Sequence, residues 1–265
     1  MFTLVDLVQP ETLEDAYQSL ISKRSNTVLG GCAFLKLGSK RIMTGIDLSK
    51  LNLNYIREQH GFIEIGAMTT FRDVETSSLL KESFNGILPQ AVSQIIGVQF
   101  RNVVTVGASV FSKYGFSDLI TALLVLDTEV ELYHDGRMSL QEFLNQPPKK
   151  DILTKVFIKN DQRIASCQSL RNSASDFPIL NAAVSQADGR WTIAVGARPL
   201  KAELALQASE LLSQANVLND ETIEDAAKAA SEELTFGTNV RGSAEYRQAM
   251  SKVLVQRGIT EVLAC

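Results

Sequence analysis

The chain has 265 residues, 45% hydrophobic and 21% charged, and its 26 Lys and Arg against 30 Asp and Glu give a net charge of −4. Such a composition belongs to an ordinary globular protein and excludes a disordered or collagen-like chain. The slight acidity leaves no global basic field to hold nucleic acid or an anionic membrane. The densest apolar run, Leu119–Leu126, is far short of the roughly 20 residues of a membrane-spanning helix. Met1–Asp6 has no basic stretch leading into an apolar one, so neither a signal peptide nor a membrane span is expected, and the expected location is the cytoplasm.

Phe2–Val8 reads as extended, ended by Pro10. Thr12 can cap a helix whose apolar stripe is Leu13, Ala16, Tyr17, Leu20 and Ile21. Thr27–Leu29 is a short strand running into Gly30-Gly31, and Ile42–Leu48 and Phe62–Ile65 are further strands. Phe71–Leu80 and Ile87–Ile96 read as helices. Arg101–Val110, β-branched and glycine-containing, reads as strand and turn. An apolar helix over Ser117–Leu126, a strand over Glu129–Tyr133 and a short helix from the Ser139/Glu142 capping-box spacing follow.

Pro147-Pro148-Lys149-Lys150 breaks the pattern. After a strand over Ile152–Ile158, Asn160-Asp161 marks the expected domain boundary. Beyond it come strands over Arg163–Leu170, Ile179–Gln186 and Trp191–Gly196, the last two joined by a hairpin turn at Ala187–Arg190. Three helices close the chain, over Ala202–Ala215, Asp220–Leu234 and Ser243–Leu263, with Asp220 and Ser243 as caps. The class is α+β.

Cys32, Cys167 and Cys265 are scattered, without a CxxC pair, so they support neither a disulfide framework, a zinc site nor an iron–sulfur cluster. His60 and His134 sit beside turn residues, in no recognisable nucleophile context. Two glycine-containing turns remain, Leu29–Leu35 and Thr105–Ser109. Small residues let successive N–H groups converge on an anion, and Thr105 and Ser109 add hydroxyls. Each alone reads as a tight turn, and neither has the spacing of a Rossmann or P-loop motif.

The order of the surrounding residues is more specific. Gly30-Gly31, Ile65-Gly-Ala-Met-Thr-Thr70, Arg101-Asn102, Thr105-Val-Gly107, Ser117-Asp118-Leu119 and Leu126–Val130 follow in sequence, and Arg171, Asp176 and Arg241–Arg247 come later. This succession resembles the flavoprotein subunit of the molybdenum hydroxylases, the xanthine dehydrogenase and carbon monoxide dehydrogenase family, over essentially the whole chain.

The resemblance implies a two-subdomain FAD-binding domain of the vanillyl-alcohol-oxidase/molybdenum-hydroxylase flavoprotein type. It would span residues 1–159, divided near 53, with a smaller C-terminal domain of a three-stranded sheet and helices over 160–265. It implies FAD as cofactor, with Val28, Leu29, Gly30, Gly31, Cys32, Ala33, Phe34 and Leu35 as one pyrophosphate loop and Thr105, Gly107, Ala108 and Ser109 in the other. Asp118 would bond the dinucleotide, Ile95 and Ile152 or Leu153 would line the flavin, and Arg101 and Asn102 would support the second loop. No side chain is implied as a catalytic acid or base, and no metal is implied on this chain.

The implied activity is an oxidoreductase's electron transfer. An iron–sulfur subunit would pass electrons to FAD, a molybdopterin subunit would oxidise the substrate, and NAD or another acceptor would take the electrons onward. Some positions depart from the family pattern. Ala108-Ser109 stands where relatives carry Gly-Asn, Cys32-Ala33 where many carry polar residues, and Cys167-Gln168 near a usual lysine. If the second loop needed a positive φ at Ala108, its Cβ would cost about 1–2 kcal/mol. A self-contained flavin oxidoreductase and an assembly subunit that has lost FAD are the alternative readings.

Overall fold

The computed structural model describes residues 1–265. Thr12 caps the first helix by accepting from the Asp15 N–H at 3.1 Å, satisfying one of the donors that a helix start leaves open. The opening elements are β1 (Thr3–Val8), α1 (Leu13–Ser22), β2 (Thr27–Leu29) and β3 (Arg41–Asp47). They form a parallel sheet in the order β1-β3-β2, as strands joined by longer crossovers do. Ala16 and Leu20 of α1 are buried with Ile46, Leu48 and Ile152.

The next segment carries β4 (Ile56–Gln59), β5 (Phe62–Gly66), α2 (Phe71–Thr76), α3 (Ser78–Glu82), α4 (Ile87–Ser93), α5 (Val98–Arg101), α6 (Val106–Phe111) and α7 (Asp118–Leu124). It continues with β6 (Thr128–Leu132), β7 (Gly136–Ser139), α8 (Leu140–Asn145) and β8 (Leu153–Lys159). The five strands form an antiparallel sheet ordered β4-β5-β8-β6-β7. Its Ile63, Ile65, Val130, Val156 and Ile158 share the main core with Val74, Leu88, Leu119 and Leu123 of the helices.

The last part holds β9 (Ile164–Arg171), β10 (Pro178–Ala187), β11 (Arg190–Gly196), β12 (Glu203–Leu204), α9 (Leu206–Gln214), α10 (Asp220–Glu233) and α11 (Ala244–Ala264). Asp188 and Gly189 both have positive φ, 50° and 79°, the pairing a two-residue hairpin requires. A second core joins Leu180, Val184, Ile193 and Val195 of the sheet to Ala226, Ala230, Val255 and Ile259 of the helices. Seven residues after the end of β11 the chain adds the two-residue β12 to an edge, so this sheet has four strands rather than the expected three. The expected helix from Ala202 therefore starts only at Leu206.

The largest local difference is at Arg101–Val110, which is helical at both ends. Tertiary hydrogen bonds override the β-branched run: Val106 donates to the Thr69 carbonyl at 2.9 Å and Gly107 to the Ala67 carbonyl at 2.8 Å. Only an isolated bridge between Thr70 and Thr105 remains of the strand. The helix expected over Phe71–Leu80 is broken at Ser77, whose hydroxyl caps α3. The helix expected to reach Ile96 stops at Ser93, and Ile96 adopts a φ of 52°, a conformation β-branched residues rarely take.

Candidate functional site

A cleft of about 340 Å³ opens between the parallel sheet with α1 on one side and α6 with the start of β8 on the other. That volume lies within the range of small-molecule sites. Of the residues singled out from the sequence, Val28, Gly30, Cys32, Ala33, Phe34, Leu35, Thr105, Gly107, Ala108, Ser109, Ile152 and Leu153 all line it.

The two glycine-bearing loops lean on each other at its floor. A Cβ at Gly30 would lie 2.6 Å from the Ala108 Cβ, and one at Gly31 would lie 1.7 Å from the Val103 carbonyl oxygen. Gly31 and Cys32 both have positive φ, 71° and 56°. Cys32 therefore carries strain of about 1–2 kcal/mol that glycine would not, and burial pushes its thiol pKa up. The N–H groups of Gly31, Cys32, Ala33 and Phe34 donate to no other group of the chain. A run of unpaired, half-buried donors with one or two left-handed residues is a concave anion receptor.

The second loop is built differently. Thr105 caps α6 through its hydroxyl, which accepts from the Ala108 N–H at 3.3 Å. The Val106 and Gly107 donors point inward, to Thr69 and Ala67. A Cβ on Gly107 would meet the Ala67 Cβ at 2.6 Å, so this glycine serves close packing. Ala108 lies within α6 and has no positive φ, so the strain anticipated there is absent. Beside Thr105 and Gly107, this loop and α6 bring the small residues Ala108, Ser109 and Ser112 to the cleft.

Leu29 and Gly31 support the first loop without lining the cleft, and the structure does not bring Ile95 or Asp118 to it. Ile95 packs half-buried against the main core, and its carbonyl accepts from Arg101 Nη1 at 3.1 Å. The rest of the Arg101 guanidinium grips Glu75 at 2.8 and 3.0 Å, which bolts the approach to the second loop onto α2. The Asp118 carboxylate faces the C-terminal sheet. There it pairs with Arg171 and accepts from Ser169 (3.1 Å) and Asn181 (3.0 Å). Beside this knot Cys167 fills the place near the absent lysine, its thiol pushed up to about 12 by burial.

Several lining residues went unnoticed in the sequence. Arg24 and Lys40 stand exposed at the rim; Lys40 Nζ reaches the Thr27 hydroxyl at 3.4 Å, and neither cation has a carboxylate partner. Lys149 is neutralised by Asp135, whereas Lys150 donates to the Leu20 carbonyl at 2.7 Å, with its pKa lowered by desolvation. Lone basic residues in loops carry no periodic signal, so only the fold gathers them. At the opposite end Phe34 packs on Tyr114, Phe116 and Phe177 with ring centroids 4.7, 5.4 and 5.9 Å apart. The spacing Tyr114-Gly115-Phe116 was the available signal: two aromatics in a short loop must be covered by something.

Residues 2–160 match the model of the FAD binding domain in molybdopterin dehydrogenase, and residues 165–262 match the CO dehydrogenase flavoprotein C-terminal domain. The chain belongs to this family. It is an oxidoreductase flavoprotein subunit of the molybdenum hydroxylase type, and FAD is its cofactor. It is 25% identical to the nicotine 6-hydroxylase medium subunit of Paenarthrobacter nicotinovorans, over 95% of each chain. To the glyceraldehyde dehydrogenase medium chain of Sulfolobus acidocaldarius it is 23% identical, over 96% of this chain and 97% of the relative. A reconstituted CO dehydrogenase from Oligotropha carboxidovorans superposes with a TM-score of 0.89 at 22% identity, covering 100% of this chain and 98% of the other; this likeness is one of fold.

The cleft of this flavoprotein fits the cofactor on physical grounds. A dinucleotide carries two phosphate charges at its centre, and here the stretch of the first loop that lines the cleft, Cys32–Phe34, keeps its N–H groups unpaired. Two uncompensated cations, Arg24 and Lys40, stand at the same rim.

Proposed function

We propose that this chain is the FAD-carrying electron-transfer subunit of a multi-subunit molybdenum hydroxylase, working in the cytoplasm. Residues 1–159 hold the dinucleotide and residues 160–265 close over the aromatic end of its cleft. Electrons arrive from 2Fe–2S clusters on a partner subunit, substrate is oxidised on a molybdopterin subunit, and NAD⁺ or another acceptor takes the electrons onward. The observation that carries this reading is the pairing of free first-loop donors with unpartnered cations at one rim. That arrangement has no use in an apoprotein and matches a diphosphate.

Bound FAD supplies the exchange between one-electron and two-electron transfer; the protein supplies position and a dry setting. In this proposal the N–H groups of Cys32–Phe34 hold the diphosphate, and Thr105, Ala108 and Ser109 close on it from the second loop. Val28, Leu35, Ile152 and Leu153 wall off water. No side chain in the cleft is asked to move a proton. The three cysteines are all free, in keeping with a reducing compartment.

The test is the visible spectrum of the purified full chain, followed by anaerobic addition of NADH. A flavin spectrum that NADH bleaches is the expected result. A flavin indifferent to NADH removes NAD as acceptor and leaves the cofactor assignment standing. A colourless chain that takes up no added FAD overturns the electron-transfer role and puts an assembly role in its place.

A further inference from the structure

Asn26 lies at the junction of α1 and β2, only 4% exposed, and lines the cleft at the end away from the aromatic cluster. Its Nδ2 donates to the Ser19 carbonyl at 2.7 Å and meets the Ser22 hydroxyl at 3.0 Å. The Ser19 carbonyl can only accept, so the amide is oriented with nitrogen toward α1 and oxygen away from it. That oxygen, Oδ1, is buried and has no hydrogen-bond partner, and Asn26 is the only cleft-lining residue with such a side-chain atom. A buried acceptor left without a donor costs about 1–3 kcal/mol, so it marks a place where a partner is missing. The same end of the cleft is lined by Leu20, Leu48 and Ile152, which share one small core, and by Lys150, whose Nζ donates to the Leu20 carbonyl at 2.7 Å.

We infer that Asn26 reads the purine amino group of the dinucleotide, making this cleft selective for an aminopurine base over an oxopurine one. The inference rests on the FAD reading above. With the diphosphate at the first loop, the two ring systems must lie on either side of it. One side is the aromatic cluster; the other is the slot of Leu20, Leu48 and Ile152, which puts Ile152 at the base instead of the flavin; there Asn26 Oδ1 is the free acceptor, while Lys150 is engaged by the Leu20 carbonyl. Adenine matches that slot, having flat apolar faces and an exocyclic amine that donates. The pyrimidine edge of isoalloxazine matches it less well, because its one N–H stands between two carbonyl oxygens, which would crowd Oδ1. Hypoxanthine would place a carbonyl oxygen against Oδ1. The amide cannot turn over to meet it without surrendering the Ser19 bond. Because water does not reach Oδ1, the base must displace the wall slightly on entry, the ordinary side-chain adjustment of a site being filled. A hydrogen bond made there forms in a dry setting, where it counts for more than at the surface.

The experiment is a fluorescence titration of the full-length apo chain with FAD and with its deamino analogue, in which hypoxanthine replaces adenine. The wild-type chain is expected to bind FAD about tenfold or more tightly than the analogue, from one hydrogen bond gained against one repulsion. In Asn26→Ala the two affinities should converge to within about threefold, chiefly by weakening of FAD. Equal affinities in the wild type overturn the inference while leaving the flavin reading intact, and this arm needs no variant to fold. A preference that survives unchanged in Asn26→Ala overturns Asn26 as the reader. If neither flavin binds, the flavin reading fails and the inference falls with it.

Discussion

The two glycine-bearing loops look alike in sequence and do opposite things. In the first, Gly31 and Cys32 bend the chain into the left-handed region and leave the N–H groups of Gly31–Phe34 open. In the second, the chain stays right-handed, Thr105 caps a helix, and the donors of Val106 and Gly107 are satisfied inside the fold. One loop thus presents backbone dipoles to a ligand, and the other presents a shape. Small residues are required in both, for free conformation in one and for close approach in the other.

The sharpest way to break the contrast is Gly31→Ala. Its Cβ would lie 1.7 Å from the Val103 oxygen and φ is positive, so both steric space and conformation are refused. We expect a stability loss of about 3 kcal/mol or more, seen as a fall in Tm of about 6–12 °C, together with loss of measurable FAD binding. Gly107→Ala should cost about 1–3 kcal/mol, from overpacking against Ala67, while FAD affinity falls less than tenfold because that N–H faces inward. An equal loss of affinity in the two variants would erase the distinction between the loops.

Thr105→Val removes the α6 cap together with one hydroxyl that lines the cleft. Chemical denaturation should show a loss of about 1 kcal/mol, with flavin affinity reduced only a few-fold. Arg24→Ala and Lys40→Ala sharpen the charge side of the comparison. Each should weaken FAD binding about two- to fivefold at low salt and less at high salt, because exposed charges are screened over about 8 Å at physiological ionic strength.

The smallest effect expected is in acid. Arg101, bonded to Glu75, holds that carboxyl below its usual range. A carboxylate with a depressed folded-state pKa stabilises fully above its unfolded pKa, near 4.3, and loses that contribution as pH falls through the folded value. The Tm of the wild type should therefore drop more steeply below about pH 4 than that of Glu75→Gln.

The sequence made most strands readable because their apolar pattern is local, as in the alternation of β6. The C-terminal hairpin was legible from Asp188-Gly189 alone. The polar edge strand β4 was not, since Ile56–Gln59 acquires its conformation only by pairing across the His60-Gly61 turn. Val103–Val106 reads as strand by propensity, yet the carbonyls that bend it into α6 come from Ala67 and Thr69, more than thirty residues earlier. The cleft was legible through its loops and through Ile152 and Leu153. Asn26, Arg24 and Lys40 were not, because a single amide or cation means nothing until the fold shows what it lacks. Asp118 stood out by its order among the motif residues, and the structure hands its carboxylate to Arg171, Ser169 and Asn181.

The Phe34 ring stands at the end of the open-donor run and also touches Phe177, which the chain supplies from between β9 and β10. Phe177 is covered in turn by the Arg241 guanidinium, itself held by Asp176. The free energy of ordering the first loop is therefore shared between halves of the chain that lie more than 140 residues apart in sequence. Anything that immobilises the loop tightens the seam, and loosening the seam returns entropy to the loop. The two halves then melt as one cooperative unit in the presence of a tightly held ligand, and a chain cut after residue 160 inherits the first loop without the clasp that keeps it in place.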